Sequence, residues 1–339
     1  MPDIQSAVSL QSYNTLSLPA RAEFFCRVET LHGLQEALCW ARDRNYRVTV
    51  LGGGSNVVLT ADVPGLVIAM GIPGIELVGK QGVQRTVRVG AGENWHQLVR
   101  TTLSRSWYGL ENLSLIPGLA GAAPIQNIGA YGVELSERFH SLEAVHIQTG
   151  DTVSLSRADC CFGYRDSVFK QGGRDQYVIS SMTLTLSSEP ELRLDYPVLQ
   201  QALAQKNPSQ LTPELVSDVV CEIRRSKLPD PLDLPNVGSF FKNPVVPVQQ
   251  AVMLKAEFPD MVTYPQADGN VKLAAGWLVD RAGWKGVTRG NVGVHKLQAL
   301  VLINTGGCAA ELLALADEIR QSVLTKFGVS LELEPRVYP

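Results

Sequence analysis

Three consecutive glycines, Gly52-Gly53-Gly54, followed by Ser55-Asn56 and set between two strand-like runs, Tyr46 to Leu51 and Val57-Val58-Leu59, constrain this chain more than any other stretch. A loop without Cβ atoms offers backbone N–H groups and a hydroxyl at close range, which is what a diphosphate needs. Taken alone it reads first as a tight turn, with phosphate binding as the other reading. The two dinucleotide fingerprints fail here. Position 57 is Val where G-x-G-x-x-G requires glycine, no G-K-[ST] follows, and the loop opens a strand instead of a helix.

A second small-residue loop runs from Leu115 to Gly132. Gly118, Ala120, Gly121, Ala122 and Ala123 leave almost no side chain, and Pro124 stiffens the exit, so a ligand or another backbone passes close by. Gln126 and Asn127 follow, amides able to recognise a ring edge, and then Tyr131, able to stack. Tight strand packing is the alternative. Two such loops in one half of a chain fit a long dinucleotide held in some other way than the Rossmann geometry.

The elements around these loops are readable from periodicity. Leu31, Leu34, Leu38 and Ala41 recur at helical spacing. Val83 to Val89 alternates, turns at Gly90-Ala91-Gly92 and leads into a helix through Leu98 and Leu103. Ala144 to Leu155 and Tyr177 to Leu186 read as strands, Ser187 to Pro213 as an excursion with a short helix, and Leu215 to Arg225 as a helix. Leu228 to Pro235 is a natural boundary. Beyond it come a buried helix over Leu273 to Asp280, a buried strand over Ala299 to Asn304, and a long helix carrying Leu312, Leu315, Ala316, Ile319, Val323 and Phe327 on one face, closed by Gly328. The last stretch, from Val329, reads as a strand with Glu332 and Glu334 on one face.

Composition narrows the function classes. With 339 residues, 45% hydrophobic and 19% charged, the chain can bury two or three domain cores. Its net charge is -3 and it has no long basic run, which argues against a nucleic-acid partner. Its most apolar stretch, Gly65 to Ile72, is far short of the roughly 20 residues of a membrane span. Met1-Pro2-Asp3-Ile4-Gln5 has no export signature, so a cytoplasmic protein is expected. The 6 cysteines form no C-x-x-C pair and no His stands at metal-ligand spacing, so no metal is expected.

Three further motifs carry reactive side chains, each with a plain alternative. In Phe162-Gly-Tyr-Arg-Asp-Ser167, Arg165 could hold a carboxylate bidentately, or be a surface residue paired with Asp166. In Asn236-Val-Gly-Ser-Phe-Phe-Lys-Asn-Pro244, two Phe side chains anchor a turn presenting Ser239, Lys242 and Asn243; no Ser-His-Asp arrangement surrounds Ser239, and its plain alternative is an ordinary turn hydroxyl. Glu332 and Glu334 are an acid/base pair or a solvated edge.

The order of all these motifs is more specific than any of them. Together with Gly90-Ala-Gly-Glu-Asn-Trp95, Ile116-Pro-Gly118, Pro265-Gln-Ala-Asp-Gly269, Lys272-Leu-Ala-Ala-Gly-Trp-Leu278 and Leu331-Glu-Leu-Glu334, it resembles the UDP-N-acetylenolpyruvoylglucosamine reductases, flavoenzymes of bacterial peptidoglycan precursor synthesis. The likeness runs from about Asn14 to Arg336. It implies an α+β chain with the FAD-binding fold of the vanillyl-alcohol oxidase and p-cresol methylhydroxylase type, plus a C-terminal α+β substrate domain. The implied division is 1–75, with 329–339 returning to it, 76–226, and 227–328.

The resemblance also implies the chemistry. NADPH is the co-substrate and non-covalent FAD the cofactor, held by Gly52, Gly53, Gly54, Ser55, Asn56, Gly118, Gly121, Ala122, Ala123, Gln126, Asn127, Gly129 and Tyr131. Arg165 and Glu334 would flank the substrate carboxylate, with burial raising the pKa of Glu334, and Ser239 would be the proton donor. Tyr164, Tyr196, Lys227, Asn243, Tyr264 and Lys272 would contact the nucleotide sugar. The Asp195-Tyr196-Pro197 neighbourhood is similar to the subtype that closes a tyrosine loop over substrate, and a monomer is expected. Rival readings are another FAD oxidase or dehydrogenase, and a nucleotide-sugar binding module with no use for Ser239 and Glu334 together.

Overall fold

The computed structural model describes residues 2–207, 210–266 and 268–339, so that Ala267 of the 265–269 motif and Pro208 and Ser209 of the excursion lie outside the described residues, as does Met1. The chain forms two compact units. The first comprises residues 1–8, 22–53 and 63–226, and the second 9–21, 54–62 and 227–339.

Among the described residues the first unit contains two larger sheets, of four and five strands, and a two-stranded ladder of Gly129–Ala130 with Val133–Glu134. One sheet has the order Gln5–Ser9, Arg21–Val28, Val63–Met70, Val48–Leu51. Val63–Met70 lies inside it, parallel to both Arg21–Val28 and Val48–Leu51, and is buried at nearly every position. This accounts for the most apolar run of the sequence, since a central parallel strand is covered on both faces. Helix α1 (Leu31–Asp43) packs Leu34, Ala37, Leu38 and Ala41 into the same core, and the Thr30 side chain caps it by accepting from the Gly33 N–H.

The other sheet is antiparallel throughout, in the order Thr152–Ser156, Phe139–His146, Tyr177–Ser187, Gln84–Gly90, Ile75–Gln81. Its core takes in Trp95, Leu98, Val99 and Leu103 of α2 (Trp95–Ser104), which is capped by Asn94. The stretch from Ala144 to Leu155, read as one strand, is a hairpin. Gly150 at φ 79 turns the chain between the two arms, and Asp151 O accepts from His146 N. Beyond the sheets, α3 (Pro197–Leu203) and α4 (Pro213–Lys227) pack Leu199, Leu203, Val216, Val219, Val220 and Ile223 together, with Tyr131, Leu192, Leu194 and Tyr196 against them.

The second unit has one continuous core. It holds a four-stranded antiparallel sheet, Asn236–Ser239, Val301–Asn304, Val292–Val294, Thr288–Arg289, and a three-stranded one, Val245–Val246, Val271–Leu273, Thr263–Pro265. Helices α5 (Val248–Glu257), α6 (Ala275–Arg281) and α7 (Ala309–Phe327) cover this core. The six apolar positions expected on one face of α7 are all buried, and Gly328 ends it at φ 65. Among the described residues no helix is long and apolar enough to cross a membrane.

The final stretch differs from a strand starting at Val329. Leu333 makes an isolated antiparallel bridge to Phe241, and the regular strand is Arg336–Tyr338, parallel to Val57–Leu59. Pro335 has no N–H to donate, so the ladder breaks between the two. Residues 329–339, 54–62 and 9–21 accordingly share the second unit with 227–328.

Candidate active site

In the first unit the two small-residue loops lie against each other. A Cβ on Gly53 would stand 2.9 Å from Gly118 Cα, and one on Gly121 would stand 2.5 Å from Ala91 Cβ. The close approach required at these two glycines is thus by other protein atoms. What remains open is the rim: Gly53, Ala122 and Gly132 are exposed, and Gly118 has φ 111. A surface of exposed backbone without bulky side chains fits the phosphates and the flat ring of a dinucleotide.

The amides at the end of this loop are differently employed. Asn127 is 1% exposed and has left-handed backbone, φ 45. Its Nδ2 donates to Glu134 Oε2 at 2.8 Å and to the Gly163 carbonyl at 3.1 Å, while its Oδ1 accepts from Ser136 N at 2.9 Å. The side chain expected to read a ring edge is therefore bonded to the protein at both ends. Gln126 is only partly buried.

Arg165 sits at the third position of a four-residue turn, Gly163 to Asp166, closed by Asp166 N donating to Gly163 O at 3.3 Å. Its φ is 52, where glycine is favoured and an L side chain costs roughly 1–2 kcal/mol. The guanidinium donates from Nη2 to Gly129 O at 2.7 Å and stands 5.6 Å from the Tyr164 ring centroid. Leu115, Asn127, Tyr131 and Cys161 also have positive φ, so that with Arg165 five of the ten such non-glycine residues among the described ones belong to these loops.

Arg224 and Asn112 were not foreseen from the sequence. Arg224, on α4 and partly buried, donates from Nε to Leu115 O at 3.1 Å and also hydrogen-bonds the Tyr131 side chain. Burial holds its pKa below the ordinary guanidinium value and pushes the Tyr131 phenol up, and Arg165 adds a like charge nearby. Two neighbouring guanidinium groups concentrate positive potential for an anion. The buried Asn112 ties the Tyr131 turn to the excursion, donating to Tyr131 O at 2.9 Å and Arg193 O at 2.8 Å. Tyr196, at the N-terminus of α3, meets the Tyr131 ring edge-on at 5.4 Å. Both missed residues are ordinary polar letters in the sequence, an Arg within a helical pattern and an Asn beside a loop. The only signal was the proximity of Asn112 to the small-residue loop.

In the second unit, Phe240 and Phe241 are 0% and 1% exposed and pin the segment between Ser239 and Lys242. Glu334 N donates to Phe240 O at 3.0 Å and Lys242 N to Glu332 O at 3.0 Å. This short ladder pairs Glu334 with Phe240 along the backbone, one residue from Ser239, so Ser239 and Glu334 are near neighbours in the backbone. Both are partly buried. Glu332 instead is exposed and pairs with Lys242 Nζ at 3.1 Å. The Asn56 side chain donates to the Glu334 carbonyl at 3.4 Å, Asn56 O accepts from Arg336 N, and Gly54 O accepts from Thr15 N. Ser55 is partly buried between them in sequence.

The expected nucleotide-sugar contacts of this unit cluster in part. Tyr264 and Lys272 are cross-strand partners, with Nζ 5.8 Å from the ring centroid. Asn243 Oδ1 accepts from Ala275 N at 2.9 Å, at the start of α6. Lys227 is exposed at the last position of α4.

The comparisons with known proteins agree along the whole chain. The family described as UDP-N-acetylenolpyruvoylglucosamine reductase, C-terminal domain, matches residues 230–338, and that described as FAD binding domain matches residues 22–156. The UDP-N-acetylenolpyruvoylglucosamine reductase of Pseudomonas putida is 46% identical over 336 residues, 98% of either chain. That of Paraburkholderia phymatum is 51% identical, covering 96% of this chain and 95% of its own. Among solved structures, the reductase from Thermus caldophilus covers 100% of both chains with a TM-score of 0.70 at 23% identity. p-Cresol methylhydroxylase covers 96% of this chain and 84% of its own with a TM-score of 0.50 at 11% identity, a likeness of fold. The fold is thus of the vanillyl-alcohol oxidase and p-cresol methylhydroxylase type with an α+β C-terminal domain. By identity along its whole length, this chain belongs to the UDP-N-acetylenolpyruvoylglucosamine reductase family.

Proposed function

We propose that the protein reduces the enolpyruvyl group of UDP-N-acetylglucosamine enolpyruvate to give UDP-N-acetylmuramate, using NADPH and bound FAD, in peptidoglycan precursor synthesis. The observation that carries this reading is its end-to-end kinship with reductases of that name. Bound FAD would supply hydride transfer, from NADPH to the methylene carbon of the substrate double bond.

The chain's own residues supply the rest. The loops with Gly52, Gly53, Gly54, Ser55 and Asn56, and with Gly118, Gly121, Ala122, Ala123, Gln126, Asn127, Gly129 and Tyr131, hold the cofactor, Asn127 through its backbone. Hydride arrival at the methylene leaves negative charge on the neighbouring carbon and the attached carboxylate. Arg165 and Glu334 stabilise that charge, Arg165 as a fixed cation and Glu334 as a proton-bearing hydrogen-bond donor, because donors placed beforehand contribute most where charge develops. Ser239 gives that carbon its proton, and Lys227 eases the loss. Tyr164, Tyr196, Asn243, Tyr264 and Lys272 hold the diphosphate and sugar.

The finer reading is the subtype with a tyrosine loop, in the Asp195-Tyr196-Pro197 neighbourhood, in a monomeric cytoplasmic enzyme. The docking of residues 192–203 on α4 and of Tyr196 on Tyr131 supports the loop assignment. The test is anaerobic. The purified protein should be yellow, bleach on addition of NADPH, and regain its colour when the enolpyruvyl substrate is added. Bleached protein that stays bleached with that substrate would sink the proposal.

A further inference from the structure

We propose that Asn127 is a positioning residue for Arg165, and that its side chain serves the turn carrying that arginine instead of reading the cofactor. The proposal rests on the reading that Arg165 meets the substrate carboxylate. The Gly163–Asp166 turn is held from both sides by the end of the second small-residue loop. On the entry side Asn127 Nδ2 donates to Gly163 O at 3.1 Å, and on the exit side Ser167 Oγ donates to Ile125 O at 2.7 Å. The guanidinium itself donates to Gly129 O at 2.7 Å, two residues beyond Asn127.

A further contact closes the frame. Gly129 pairs with Glu134 across a two-stranded ladder, and Asn127 Nδ2 holds the Glu134 carboxylate at 2.8 Å. The carbonyl that receives Arg165 is therefore fixed to the amide that fixes its turn. Asn127 spends both amide hydrogens within this frame, and its Oδ1 receives Ser136 N. Such bracing is what a left-handed arginine requires, since a disfavoured backbone persists only where its surroundings over-determine it. Asn is also among the few residues that adopt φ 45 readily and donate two hydrogen bonds from there.

The variants are Asn127→Gly, which keeps the left-handed backbone and removes the amide, and Asn127→Asp, which keeps the acceptor for Ser136 and loses both donors. In each, reoxidation of NADPH-reduced enzyme by the enolpyruvyl substrate should slow by about 10- to 100-fold, the scale expected when a reacting group is displaced by about 1 Å. Calorimetry on the oxidised enzyme should show substrate binding weakened several-fold. The FAD dissociation constant and the rate of reduction by NADPH should stay within about twofold, which a loss of general stability or of a cofactor contact would not give. In an Arg165→Lys background, Asn127→Gly should cost less than about twofold more, because residues acting as one unit do not add.

FAD affinity falling together with both half-reactions would overturn the proposal, as would full additivity with Arg165→Lys. If Arg165→Lys alone changed neither substrate affinity nor reoxidation, the reading of Arg165 itself would fall, and the proposal with it. Asn127→Asp serves where Asn127→Gly does not fold.

Discussion

A serine hydroxyl is a weak acid, and no Ser-His-Asp motif surrounds Ser239 in the sequence. Its usefulness depends on a strongly basic acceptor, the carbon that has just gained charge. Ser239→Ala should leave flavin reduction by NADPH near normal and slow reoxidation by substrate by about 10²- to 10⁴-fold, read by stopped-flow absorbance. Equal loss in both half-reactions would place Ser239 elsewhere. Glu111 belongs to the same scale for a different reason. It is 2% exposed, and burial pushes its carboxyl above the ordinary value, against the lowering pull of the Gly109 N–H and Arg138. Between the unfolded and the raised folded pKa the folded chain keeps a proton the unfolded chain has lost, so stability falls as pH rises through that window. Glu111→Gln keeps an acceptor for Gly109 N and removes that slope. Its Tm should therefore gain on the parent from about pH 4.5 upward, and parallel Tm–pH curves would assign the slope to other groups.

At the scale of elements, much of the fold could be read from letters. Helices α1, α2, α4 and α7 announce themselves by apolar stripes, and α7 by the glycine that ends it, because a helix buries one face at a fixed period. The hairpin 139–156 was harder. Its apolar alternation runs on through the turn, and period 2 says nothing about where a strand reverses. At the last strand the alternation was legible, but the missing Pro335 N–H decided where pairing could resume. Gly328→Ala should destabilise by about 1 kcal/mol through the left-handed cap, seen as a lower urea midpoint with unchanged flavin content. Gly121→Val should cost more, about 1–3 kcal/mol, and should also deplete bound FAD, since Ala91 stands where the new side chain must go. Full flavin content in that variant would separate the Gly121 packing from cofactor binding.

At the scale of the molecule, what the sequence concealed was partition. Residues 9–21 and 54–62 belong with residues beyond 226, although their neighbours on either side belong to the first unit. Contacts such as Asn304 Nδ2 to Leu16 O at 2.8 Å, and Thr15 Oγ1 to Asn236 O at 2.6 Å, span more than two hundred positions and leave no local periodic trace. The candidate site was legible where a motif is short and contiguous, as at Ser239 to Asn243. In the first unit it was hidden, because Arg224 and Asn112 reach the small-residue loop from remote positions.

The parallel pairing of Val57–Leu59 with Arg336–Tyr338 places a clock in biosynthesis. Thr60 N and Oγ1 donate to the carbonyl of a residue 278 positions later, Tyr338, so at roughly 5–20 residues per second the ribosome delivers the partner about 14 to 56 seconds after the strand it completes. Until then Asn56, just ahead of that strand, has neither Glu334 nor Arg336 to hold it. A nascent or prematurely released chain would carry the triple glycine but not its finished setting, so tight FAD uptake should mark only chains translated to their final strand.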